Sequence, residues 1–223
     1  MLEIIAAITG SYYILKKPYA HKVFKYLVYF LWFTVITETI AMYTTIAYFT
    51  KYEYFGFTKD TGFEQNYWLF NIYLLVDYSF FLYFFTSLLK KNKIKKTLNI
   101  INIVYVIIGT LILIASDTFF IRDSIYTVTL GTILLLFAII LFYFDLLKSD
   151  KIINFKKYLP FYISIGLLGF NMCTTPLSIF SIYFERINEL FVNVKINIYL
   201  FANIFMYFTF ILGFIICTKK KAT

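Results

Sequence analysis

Charge is scarce in this chain. Asp, Glu, Lys and Arg make up 15% of the residues, where a water-soluble domain carries about a quarter. Too few polar side chains remain to coat a globule in water, and the composition falls in the membrane class. Histidine is scarcer still, with His21 alone. Bis-histidine haem and multi-histidine metal sites need several imidazoles and are excluded. Two cysteines, Cys173 and Cys217, give no disulfide framework. Both lie in apolar stretches and are expected to act as small buried hydrophobes. Helical rise sets them ~21 Å apart in depth, too far for a bond. No glycine-rich phosphate loop, HExxH, GxSxG or CxxC pair is present, and no cofactor is expected.

What is plentiful is apolar surface. Hydrophobic residues make up 61% of the chain, and they fall into seven runs. A bilayer core of ~30 Å needs about 20 such residues in a helix. The runs are Leu2–Leu15, Val23–Phe49, Tyr67–Leu89, Leu98–Ala115, Ile125–Leu147, Leu159–Tyr183 and Val194–Thr218. The first is short, and spans only if its neighbours pack around it or it continues toward Tyr19. It has no basic n-region and no clear cleavage site, so it reads as a retained helix and not a signal peptide. The expected fold is all-α: a single integral membrane bundle of seven transmembrane helices.

The net charge of +9 does not point to nucleic acid, because the basic residues cluster between the runs. One set of connections holds Lys16 to Lys25, Lys90 to Lys96, Lys148 to Lys157 and the tail Lys219 to Lys221. The other set holds only Lys51, Lys59, Arg122, Arg186 and Lys195. The alternation is unbroken, which fits an odd number of spans with the N-terminus outside and the C-terminus cytoplasmic. The basic connections then face an anionic cytoplasmic leaflet. Abundant Ile, Lys, Asn, Phe and Tyr suggest an AT-rich coding genome, and the expected location is a bacterial cytoplasmic (inner) membrane. Seven spans with an outside N-terminus are similar to rhodopsin in helix count only. A retinal Schiff base needs a mid-span lysine in the last helix, and positions 202 to 208 hold none.

Against this background the stretch VITETIAMYTT stands out, because Glu38 interrupts it. A carboxylate at mid-depth costs a few kcal/mol or more. The basic clusters serve as a ruler for depth. Glu38 is 13 residues from Lys25, Asp77 is 13 from Lys90, Asn171 is 14 from Lys157 and Asn203 is 16 from Lys219. All four therefore lie ~20–24 Å above one membrane boundary. Glu3 joins them if the first helix is short and sunken. Helical spacing adds Thr34 beside Glu38, Tyr73 beside Asp77, Thr175 beside Asn171, and Tyr207 beside Asn203. No Lys or Arg shares this level, so the acids must be protonated, hydrated in a cavity or bound to a cation. Two facing carboxyls would share one proton. Asp145, near Lys148, reads as a solvated interfacial residue. Pro176 is expected to kink its helix and free the Met172 carbonyl. The aromatic connection Lys51–Asn66 reads as an interfacial belt more readily than as a lid. Gly166 and Gly169 allow close helix packing, within the chain or in a homo-oligomer.

Three functions compete. The first is transport or conduction of a cation, proton or amine-bearing solute through a pocket built on Glu38 and Asp77. The alternative is a ligand sensor or a membrane-anchored subunit with a separate protein partner. The third, an enzyme acting on lipid, needs acids near a headgroup, and the ruler places them too deep. The topology is open to direct test. In a chain with Cys173 and Cys217 replaced by Ala, Lys59→Cys is expected to react with an impermeant maleimide on intact cells. Lys93→Cys and Lys220→Cys are expected to react only after lysis.

Overall fold

The computed structural model describes residues 1–116, 118–184 and 189–218. Among them the chain is helical and contains no strand. The helices are α1 (Leu2–Lys16), α2 (Lys22–Phe49), α3 (Tyr67–Leu88), α4 (Asn92–Ala115), the single-turn α5 (Thr118–Ile121), α6 (Ile125–Leu147), α7 (Leu159–Phe184) and α8 (Glu189–Thr218). The expected runs are all present. Two helices begin earlier than their apolar runs: α4 starts at Asn92 and α8 at Glu189. Hydropathy marks only the part of a helix that meets hydrocarbon, and a helix carrying Lys and Asn continues past it into the headgroup layer. Arg186 and Lys219 to Lys221 lie outside the described residues.

Six helices are long and apolar enough to cross a membrane. The seventh, α1, has 15 residues and is therefore about 22 Å long, short of the hydrocarbon thickness. Contacts join α1 to α2, α2 to α3, α3 to α6, α6 to α7, α7 to α8 and α8 back to α1. These six helices form a closed ring, with α4 packed outside it against α3 and α6. The connections α1–α2, α3–α4 and α6–α7 share one end of the ring. There Phe24 packs near Phe84, Phe142 stacks on Tyr158, and the Asp145 carboxylate accepts the Lys90 backbone N–H at 2.7 Å. Asp145, near the end of α6, thus ties that helix to the α3–α4 connection through an exposed bond.

Lipid tails are as apolar as leucine, so association in a bilayer relies on close packing and hydrogen bonds. Two glycines show where backbones approach. A Cβ on Gly166 would meet the Thr209 hydroxyl and the Met206 carbonyl, so α7 and α8 sit nearly in backbone contact. The packing offered by Gly166 and Gly169 is therefore used within the chain. A Cβ on Gly10 would come to 3.0 Å from both Phe214 and Val28. So α1 is wedged between α8 and α2. Tyr13 completes the wedge, with ring centroids 5.7 Å from Phe214 and 6.4 Å from Phe24. Of the cysteines, Cys217 is buried as expected. Cys173 is exposed on the outer surface of α7, because its apolar run faces lipid there and not the core.

At the other end of the bundle the connections are pinned by side chains. Asn71, on α3, donates to the carbonyls of Phe119 and Arg122 at 3.0 Å each, and its Oδ1 accepts the Ser124 N–H at 2.8 Å. Ser124 in turn caps α6. In the Lys51–Asn66 connection the Tyr43 hydroxyl donates to the Phe63 carbonyl at 2.7 Å and accepts from the Trp68 indole at 3.0 Å. The Tyr52 hydroxyl donates to Glu64 at 2.8 Å, and this bond raises the Tyr52 phenol above its ordinary range. The connection is fastened to α2 and α3, and Phe63 stacks edge-on against Phe120 at 5.4 Å.

Asn71→Leu is expected to leave two carbonyls and one N–H without their partner, at about 1–3 kcal/mol for each group that stays dry. A clear drop in the thermal unfolding midpoint of the detergent-solubilised protein would report it, and an unchanged midpoint would contradict the clasp.

Candidate functional site

The space inside the ring is not filled. A cavity of about 290 Å³ lies between α2, α3, α7 and α8. The spacing of residues on each helix explains its lining. Phe70, Tyr73 and Asp77 follow one another at three- and four-residue intervals on α3, and Tyr199, Asn203 and Tyr207 do so on α8. Thr174 and Ser178 line it from α7, and Glu38 lines it from α2. The lining also reaches Asn66 and Asp123 in the connections at the lysine-poor end. Ser178 and Tyr199 tie α7 to α8 through hydroxyls 2.6 Å apart.

Among the described residues Glu38, Asp77 and Asp123 line this space, and the Lys195 ammonium lies beside it, 5.9 Å from the ring of Tyr199. The Asp77 carboxyl engages the hydroxyl of Tyr73, one turn earlier on α3. Tyr73 is held in turn by Thr34, whose hydroxyl lies 3.1 Å away. Glu38 has different neighbours. The charged groups acting on it are Glu3 and the amino group of Met1, which pair with each other at 2.8 Å. The hydroxyls of Tyr73 and Tyr207 feel both Glu38 and Asp77.

Of the residues singled out in the sequence, Glu38, Asp77, Asn203, Tyr73 and Tyr207 line the cavity. Glu3 is not among the lining residues and acts on Glu38 and Tyr207 from beside the cavity. Thr34 is buried behind Tyr73 and positions it. Asn171 and Thr175 do not reach the cavity. Asn171 is 3% exposed, and its Oδ1 accepts from Tyr78 at 3.1 Å while its amide donates to the Leu167 carbonyl at 2.9 Å. Thr132 of α6 closes this knot, with its hydroxyl 3.0 Å from Tyr78, 3.3 Å from Asn171 and 3.0 Å from Thr175. The knot joins α3, α6 and α7 and touches the cavity only through Tyr78, and its polar atoms satisfy one another. Pro176 lies inside α7, which continues as helix to Phe184, and Met172, four residues before it, is 69% exposed.

Sequence reasoning missed Asp123, Thr132 and Tyr78. Asp123 sits in a connection, where helical spacing gives no signal. Thr132 is an isolated hydroxyl in the most apolar helix, and Tyr78 is one aromatic among many. Comparisons with protein-family models, with curated proteins and with solved structures give no match.

The knot and the cavity are separable by mutation. Asn171→Leu removes the acceptor of the Tyr78 hydroxyl, which keeps only its bond from Thr132, and is expected to cost about 1–3 kcal/mol. Asn203→Leu, which faces open space, is expected to shift the unfolding midpoint little. Equal losses in the two variants would contradict the assignment.

Proposed function

We propose that this is an integral membrane protein that binds and moves a cation, a proton or an amine-bearing solute through the cavity between α2, α3, α7 and α8. The observation that carries this reading is that Glu38 of α2 and Asp77 of α3 line one cavity together with Tyr73, Asn203 and Tyr207. A cavity bordered by acids at mid-depth has a negative potential that surrounding hydrocarbon screens poorly. It favours positive charge and disfavours anions. Asn203, Tyr73 and Tyr207 add neutral hydrogen-bonding groups that suit an ammonium donor or a shuttled proton.

Asn66 and Asp123 extend the lining toward the lysine-poor end. In this reading the lysine-rich end faces the cytoplasm and its anionic leaflet, α1 counts as a seventh, partial span, and the membrane is a bacterial cytoplasmic one. Binding alone also fits a sensor or a subunit, so the decisive measurement is movement. In proteoliposomes Glu38→Gln and Asp77→Asn are expected to abolish cation-coupled uptake while leaving elution profile and helix content unchanged. Unimpaired uptake by both variants would end the proposal.

A further inference from the structure

The wall around the cavity is uneven. Along the seam between α2 and α8, α1 is the covering element, wedged in by Gly10 between Val28 and Phe214. The wedge reaches Glu3, which acts on Glu38. Past Glu38, α2 runs on for eleven residues to Phe49, about 16 Å. Its packing partners are α1 and α3, while those of α8 are α7, α1 and the segment before α7. Met42, one turn past Glu38 on α2, is 57% exposed, and Leu200, on the same stripe of α8 as Asn203 and Tyr207, is 53% exposed. Glu38 itself both lines the cavity and is exposed at the bundle's side. The rim of the seam is thus apolar, with one carboxylate at its inner edge.

The cavity behind it is unusually aromatic. Tyr67, Phe70, Tyr73, Tyr78, Tyr199 and Tyr207 all border it, in company with the acids. Aromatic faces beside carboxylates are the chemistry that holds organic ammonium groups. Among the described residues no three His, Cys, Asp or Glu gather as a metal site, which also favours an organic cation.

We infer that the cavity is reached sideways from the hydrocarbon layer, through the seam between α2 and α8 at Glu38, and that its ligand is an amphipathic ammonium compound. The apolar tail stays among Met42, Leu200 and lipid while the cationic head passes Glu38 into the aromatic space beside Asp77. This deepens the cation-binding reading and rests on it.

The test uses the full-length protein in lipid nanodiscs and the membrane-soluble reagent dicyclohexylcarbodiimide, with labelled carboxyls identified by mass spectrometry. Glu38 is expected to label readily and Asp77 more slowly, while a water-soluble carbodiimide labels both poorly. Octylammonium is expected to protect them at a concentration more than about tenfold below that of methylammonium, because each methylene leaving water strengthens association. Plugging the seam with Met42→Trp and Leu200→Trp is expected to slow Asp77 labelling about tenfold, as a blocked approach lowers an on-rate. Opening it with Met42→Ala and Leu200→Ala is expected to speed that labelling. Asp77 labelling indifferent to both seam pairs overturns the side entrance, as does preferential labelling by the water-soluble reagent. Equal protection by the two amines overturns the amphipathic ligand. Protection by neither overturns the cation-binding reading itself, a result distinct from a failed seam.

Discussion

Inside a bilayer a polar group has no water to fall back on, and that constraint organises this protein. Most of its intramembrane polar side chains obey it locally. The hydroxyls of Thr34, Thr37 and Thr39 donate to carbonyls one turn back in α2. Others obey it between helices, as in the Asn71 clasp and the knot of Tyr78, Thr132, Asn171 and Thr175. These groups are absorbed by the fold. Glu38 and Asp77 are not absorbed in the same way: they face space, and tyrosines are their neighbours. Separating satisfied polar groups from those that border a void divides structural from functional candidates more sharply than residue type does.

The second consequence concerns shape. Helices that cannot rely on hydrophobic burial approach where side chains are small, and here Gly166 and Gly10 set two such contacts. The first makes α7 and α8 a tight pair. The second pulls a short helix into a seam that it fills only in part. The ring closes through α1, which packs against both α2 and α8.

Chemically, the cavity combines negative charge with aromatic faces. A metal ion asks for several hard or imidazole ligands converging on one point, whereas an ammonium asks for diffuse negative potential and polarisable walls. The two acids stand apart on separate helices, with Tyr73 and Tyr207 influenced by both.

Much of this was legible from residue order. The helices, their approximate ends and the shared depth of Glu38, Asp77 and Asn203 follow from hydropathy, lysine spacing and the fixed rise of a helix, because all three are properties of one segment at a time. The lining residues Tyr73 and Tyr207 follow from the same periodicity. The burial of Asn171 and Thr175 does not, nor does the tie between Asp145 and the Lys90 amide, since each depends on which helix lies opposite. Sequence alone determined how far along each helix a group lies. The ring order, the knot beside the cavity and the seam beside α1 were settled by tertiary packing, because the azimuth and partner of a helix are set by contacts between distant segments that no local pattern encodes.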